Sequence, residues 1–320
     1  MAGKNHEFCV ITVFLIGIFG EYGVFYRVFR SISVRNFFIK SWNWIQVTDN
    51  EALRQLLEPP VLAEREHFLI KLAENPAEVE AAQRLRYRVF MAEQGHMESV
   101  TADDGLDIDE FDCYCLHLII VDRGRNEIVG TYRVHPGLVA THGIGFYSER
   151  EYRIAGLDKI APLSIEVGRS CVSPEFRNGA VVALLWAGMA VLQRRSQCRY
   201  LLGCVSLETV DPAIGWALYR HLQSQDGTFS TAVAALPQDG YELPEPEASA
   251  VEEYLIGAKQ SELTRWMPPL LKGYLRLGAR LCGVPVLDRE FGAIDFLVLF
   301  DFNEINRKYA RHFFCDGRVS

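Results

Sequence analysis

Residues Ser164 to Trp186 read SIEVGRSCVSPEFRNGAVVALLW, and the fold turns on how this stretch divides. Apolar residues alternate with others up to Val172, the period of a half-buried strand. Pro174 breaks the run, Arg177-Asn178-Gly179 makes a turn, and a helix is expected from Gly179 to about Arg195. Inside the strand sit Glu166 and Arg169. Three apart on a regular strand, they face opposite sides of the sheet, and Gly168 between them is where a bulge would be allowed.

Outward from this stretch, the flanking text repeats the same grammar. REHFLIKLAE alternates like a strand, and NPAEVEAAQRLRYRVFMAE reads as a helix with Asn75 as cap and Pro76 in its first turn. CYCLHLIIVD and EIVGTYRVH, separated by RGRN, read as a hairpin. YLLGCVSL is a further strand and DPAIGWALYRHL a further helix, followed by a late helix from about Leu270 and two strands in GVPVLDREFGAIDFLVLF. This order predicts one α/β domain with a mixed, mostly antiparallel central sheet flanked by helices. Residues 223–262, rich in Pro, Gly and acids, read as an insertion or long loop.

The chain has 320 residues, 49% hydrophobic, with net charge −8, so binding of nucleic acid through a global basic field is not expected. Eight cysteines show neither disulfide nor zinc spacing and read as small buried hydrophobes. Residues 1–60 read as an N-terminal extension, apolar near 8–29. Its run FCVITVFLIGIFG is shorter than the roughly 20 residues of a spanning helix. Peripheral attachment to a membrane, or translation from an upstream start, is the expectation for it.

Several groups could carry chemistry. Asp103, Asp104, Asp107, Asp109, Glu110 and Asp112 crowd one loop, which is either a solvated acidic face or a site for an amino-bearing substrate. The spacing does not fit a calcium-binding EF-hand. Arg133 lies in an apolar strand. Glu166 is either a base for an ammonium or one half of an ion pair with Arg133 or Arg169. The turn at Arg177-Asn178-Gly179 leads into a helix N-terminus, which suits a phosphate, although most such turns bind nothing. Two His/Asp pairs, His117 with Asp122 and His221 with Asp226, match an O-acyltransferase spacing but are placed unsuitably for it.

Taken together, LRYRVF, DIDEFD, CLHLIIVD, VGTYR, GFYSEREY, IEVGRSCVSPEFRNGAVVALLW and PPLLKGYLRLGA resemble the GNAT acyltransferase superfamily. The nearer likeness is to its branch of ornithine-acyl-carrier-protein N-acyltransferases and acyl-homoserine-lactone synthases. It covers roughly Arg65 to Phe314. By position, Arg86 and Phe90, the triplet Asp107, Asp109 and Asp112, and Arg133, Glu166 and Arg169 match the polar core of the lactone synthases. A tryptophan expected soon after Phe90 is missing, which weakens S-adenosylmethionine as amino donor.

The resemblance implies a single GNAT-like domain over 61–320 that moves a long, 3-hydroxylated acyl chain from acyl carrier protein to an amino acid's α-amine, ornithine first. Glu166 would be the base, and backbone N–H groups near Arg169-Ser170-Cys171 would hold the oxyanion. Arg86, Phe90, the three aspartates and Arg133 would bind the amino acid, with Arg133 or Arg169 on its carboxylate. The motif of CoA-binding relatives fails at Phe176 and Val181, so Arg177, Asn178 and Gly179 are expected to hold a single phosphopantetheine phosphate. No cofactor or metal is expected. The expected location is cytoplasmic, peripheral to the inner membrane face. Lys272, Arg276 and Arg280 on the late helix, with Arg194 and Arg195, are the expected docking patches. A lactone synthase, a synthase for another amino acid, or a non-catalytic carrier- or membrane-binding protein are the alternatives.

Overall fold

The computed structural model describes residues 55–94, 105–177, 179–225, 227–256, 263 and 265–305. The N-terminal apolar run, Asp103, Asp104, Asn178 and Asp226 lie outside the described residues. Among the described residues no helix is long and apolar enough to cross a membrane.

In chain order the strands are β1 (Val61–Arg65), β2 (Phe68–Leu72), β3 (Leu116–Asp122), β4 (Glu127–Pro136), β5 (Tyr152–Ala155), β6 (Ser164–Val172), β7 (Tyr200–Leu207), β8 (Ala234–Pro237), β9 (Arg280–Leu281), β10 (Val286–Asp288) and β11 (Ala293–Asp301). The helices are α1 (Pro76–Gln94), α2 (Gly137–His142), α3 (Leu157–Ile160), α4 (Ala180–Ser196), α5 (Pro212–Gln223), α6 (Ala248–Leu255) and α7 (Pro269–Leu277). The main sheet runs β1-β2-β3-β4-β6-β7-β11-β10, with β9 also on β11, while β5 and β8 form a separate pair. Every pairing is antiparallel except β6 with β7. The mixed, mostly antiparallel sheet is as expected.

Local chemistry explains the boundaries. Asn75 accepts from the Glu78 N–H at 3.0 Å and so caps α1, and Asp211 caps α5 through the Ala213 N–H at 2.9 Å. α1 packs on β4 and β6, and α4 packs on β1 to β4 from the other face, where Trp186 meets Tyr274 of α7. The sheet centre is fully apolar between them: Ile70, Leu118, Ile119 and Ile120 are all completely buried.

The structure departs from three expectations. REHFLIKLAE is not one strand: Glu66 takes a left-handed φ of 55°, and the chain turns back there from β1 into β2. The stretch 223–262 holds β8 and α6, and β8 pairs with β5 across the sheet face that carries the site. Periodicity missed both because each is short and flanked by Pro and Gly. The late helix ends at Leu277, so Arg280 belongs to β9 and pairs with Glu304 at 2.7 Å. Arg195 donates to the carbonyls of Pro59 and Val61. Neither arginine is part of an open basic face, and Lys272, Arg276 and Arg194 are what remain of the expected patches.

Candidate active site

The site is built where β6 and β7 part. Their parallel pairing covers Ser164–Glu166 and Tyr200–Leu202. Just beyond, Gly203 approaches the Val167 carbonyl so closely that a Cβ there would lie 2.4 Å from the oxygen. The bulge is present on β6: Thr131 pairs with Cys171 but Arg133 pairs with Gly168, which leaves one extra residue on β6. Gly168, however, is not the residue that makes the left-handed step. Arg169 is, with φ 49°. A non-glycine residue there is strained by about 1 kcal/mol or more, and the step turns Arg169 to the face that already carries Arg133.

That face holds a compact charge network. Arg86, completely buried on α1, forms a two-pronged pair with Asp112, both arms at 2.8 Å, and meets Asp107 at 2.6 Å. Arg133 meets Asp109 at 2.5 Å, and Arg169 meets Asp109 at 3.2 Å and Asp107 at 3.4 Å. Asp109 also caps the 3-10 turn Glu110–Cys113. Burial alone would lift these carboxyl groups, but Arg86 holds Asp112 well below the usual carboxylate range, and Arg133 does the same for Asp109. Three arginines therefore neutralise the three aspartates. Asp107, Asp109 and Asp112, expected to meet an amino group, are each paired with arginine in the structure. Phe90 lies one turn beyond Arg86 and is half-buried.

Glu166 does not pair with Arg133 or Arg169, so the ion-pair alternative fails. Its carboxylate accepts from the Tyr147 N–H at 2.6 Å, the Ser148 N–H at 2.8 Å and the Ser148 hydroxyl. Three donors leave about one of four lone-pair directions open. His135 stands opposite Glu166 on β4, its Nδ1 3.8 Å away. Tyr147 is itself held over both site arginines, 5.4 Å from Arg133 and 5.1 Å from Arg169. The turn Tyr147–Arg150 is thus the lid of the network. Ser170 points elsewhere: its side chain meets Tyr132, whose hydroxyl is 2.7 Å from that of Tyr274 on the opposite face.

At the far end of β6, Gly179 takes φ 90° and opens α4 with no side-chain cap. Arg177 is exposed, with its Nε donating to the Val172 carbonyl at 3.2 Å.

Residues 85–187 match the model of the acetyltransferase (GNAT) domain. An L-ornithine N(alpha)-acyltransferase of Brucella abortus (strain 2308) is 35% identical over 257 residues, 76% of this chain and 88% of that protein. One from Agrobacterium fabrum (strain C58 / ATCC 33970) is 33% identical over 254 residues, 76% and 84% of the two chains. The chain belongs to the L-ornithine N(alpha)-acyltransferase family. It is an N-acyltransferase. The solved acyl-homoserine-lactone synthase LasI aligns over 78% of this chain and 96% of its own, at 10% identity and TM-score 0.43.

The acyltransferase carries functional-site residues that the sequence left without a role. Tyr147, Ser148 and Glu151 belong to GFYSEREY, a segment that marked the family but disclosed no chemistry. Glu151 is 1% exposed and forms no ion pair among the described residues. Its carboxylate lies within 4.8 Å of the Cys204 thiol and of Asp295, which is likewise buried. Burial, reinforced by Asp295 and Asp288, pushes Glu151 well above the usual carboxylate range, and burial lifts Asp295 to about 6. No short-range pattern could reveal this group, because it joins β7, β11 and a turn far apart in the chain.

Proposed function

We propose that this acyltransferase moves a long, 3-hydroxylated acyl chain from the phosphopantetheine thioester of acyl carrier protein to the α-amine of ornithine, giving a lyso-aminolipid. The observation that supports it most is the parting of β6 from β7 just beyond Glu166. In this reading the thioester lies where the two strands part, with its carbonyl toward Glu166 and a single phosphate toward Arg177 and Gly179 at the start of α4. Ornithine, for which the relatives are named, is the acceptor in this reading.

In this reading the ammonium first loses a proton to Glu166, through water in the one open lone-pair direction. The amine nitrogen then attacks the thioester carbon. Backbone N–H groups around Arg169-Ser170-Cys171 stabilise the oxyanion, the carbon–sulfur bond breaks, and the thiol leaves with the second amine proton. Arg169 takes the acceptor's carboxylate, because its side chain is 13% exposed against 4% for Arg133. Arg86, Asp107, Asp109, Asp112 and Arg133 hold Arg169 in place, and Phe90 belongs to the acceptor side of α1. Lys272 and Arg276 supply a basic docking face for the acidic carrier or for anionic lipid.

Purified protein incubated with radiolabelled 3-hydroxyacyl carrier protein, or with the matching CoA ester, and a panel of amino acids should give an acylornithine. The carrier thioester should exceed the CoA ester at least ten-fold in kcat/KM. Amide formation with no amine overturns the reading, and product from S-adenosylmethionine moves the protein to lactone synthesis.

A further inference from the structure

The buried acids of Glu151, Asp288 and Asp295 are the one part of the site face that the reaction above leaves unexplained. Asp288 has a local task, since it accepts from the N–H groups of Glu290 and Phe291. Glu151 and Asp295 have none. Glu151 faces Asp295 and the Cys204 thiol, Asp295 faces Glu151 and Ser206, and among the described residues neither carboxylate forms an ion pair. All three residues are at most 4% exposed. Two buried acids set against each other with no cation between them are a place where a cationic ligand would be held by both.

Position tells which ligand. Cys204 and Leu202 lie two apart on β7 and so share a face, and Leu202 pairs with Glu166. The cluster thus begins one residue pair beyond the proposed base, on the same face, just where β6 and β7 part. Unlike its acidic neighbours, Cys204 is half-buried, which makes it the side of the cluster nearest the cleft. The Arg86–Asp112 network nearby is charge-balanced, whereas this cluster carries only acids. A diamine acceptor presents one nitrogen for acylation and keeps a second as ammonium. We propose that Glu151 and Asp295 bind the side-chain ammonium of ornithine and select a basic amino acid over neutral ones. This inference rests on the acceptor being ornithine, as proposed above.

The test compares ornithine with norvaline, which has the same chain without the terminal amine. Wild-type protein should favour ornithine at least 100-fold in kcat/KM, and Glu151→Gln or Asp295→Asn should cut that ratio ten-fold or more. A structural role predicts that these variants lose stability. Removal of a buried acid whose partner is the ligand predicts that the free variants melt at or above the wild-type temperature. A readout without turnover uses the whole protein: ornithine and 1,4-diaminobutane should raise the wild-type melting temperature, and Glu151→Gln should abolish the shift. Unchanged ornithine-to-norvaline selectivity in both variants overturns the assignment. So does a shift with zinc alone, lost in Glu151→Gln, which would mark a metal site. If no amine is acylated but the diamine shift appears and depends on Glu151, the proposed function fails while the ammonium site stands.

Discussion

Asp112 shows at the scale of one residue why the charge network is a scaffold. Its carboxylate takes both arms of Arg86 and lies 3.5 Å from Arg133. Asp112→Asn leaves Arg86 buried with an uncompensated charge, so unfolding in denaturant should show a loss of about 3–5 kcal/mol. A loss under 1 kcal/mol would mean the network is not structural. Glu166 differs, because its partners are neutral N–H and O–H groups. Glu166→Gln should lower kcat on the order of 10²–10⁴-fold if the carboxylate takes the proton. A variant that keeps its kcat and only melts earlier would make Glu166 the anchor of the Tyr147–Arg150 turn and nothing more. The alternation in SIEVGRSCV was legible as a strand, and Glu166 and Arg169 were legible as its odd members. Their partners were not, because three hydrogen bonds to residues 18 and 19 positions away leave no trace in local spacing.

Among the elements, the decisive one is the pair β6–β7. At Gly203 a Cβ would lie 2.4 Å from the Val167 carbonyl oxygen, which is backbone and cannot rotate away. Gly203→Ala should therefore force the strands apart, with a drop in melting temperature and loss of turnover together. Full activity at an unchanged melting temperature would show that the strands have slack there. Gly179 poses a different constraint, since its Cβ would meet nothing within 4 Å but its φ is 90°. Gly179→Ala should cost about 1–2 kcal/mol through backbone strain alone, and it should raise KM for the acyl donor more than it lowers kcat. The strand-turn-helix around it was plain in sequence, since alternation, a Pro break and an apolar helical run each have a distinct period. The hairpin at Glu66 was not, since no glycine marks its turn, and the pairing of β8 with β5 was not, since it joins strands about 80 residues apart.

For the molecule as a whole, the buried network sets the acid limit. Burial pushes the His117 imidazole down to about 4 from its ordinary 6.5, and the neighbouring arginines add to this. The unfolded chain then takes up a proton before the folded one does. Stability present above pH 6.5 should be lost between pH 6.5 and 4, by about 3 kcal/mol in all. Chemical denaturation at several pH values should show this slope, and His117→Gln should flatten it. A slope unaltered by that substitution would move the acid sensitivity elsewhere. Below pH 4 a second loss is expected, as Asp109 and Asp112, held low by Arg133 and Arg86, finally take up protons.

By itself the sequence determined the alternating and helical segments, the mixed sheet they build, and a family likeness carried by contiguous words such as GFYSEREY and IEVGRSCV. Those features depend on neighbours within a few residues, so a linear reading can reach them. Only the tertiary structure decided what the charges do. It spent Asp107, Asp109 and Asp112 on Arg86, Arg133 and Arg169, made Arg169 rather than Gly168 the left-handed step, and left Glu151 and Asp295 buried without a cationic partner among the described residues. Whether a carboxylate is neutralised depends on which opposite charge folding brings within a few ångströms. That distance is set by the packing of β4, β6, β7 and β11 and is not written in the order of the residues.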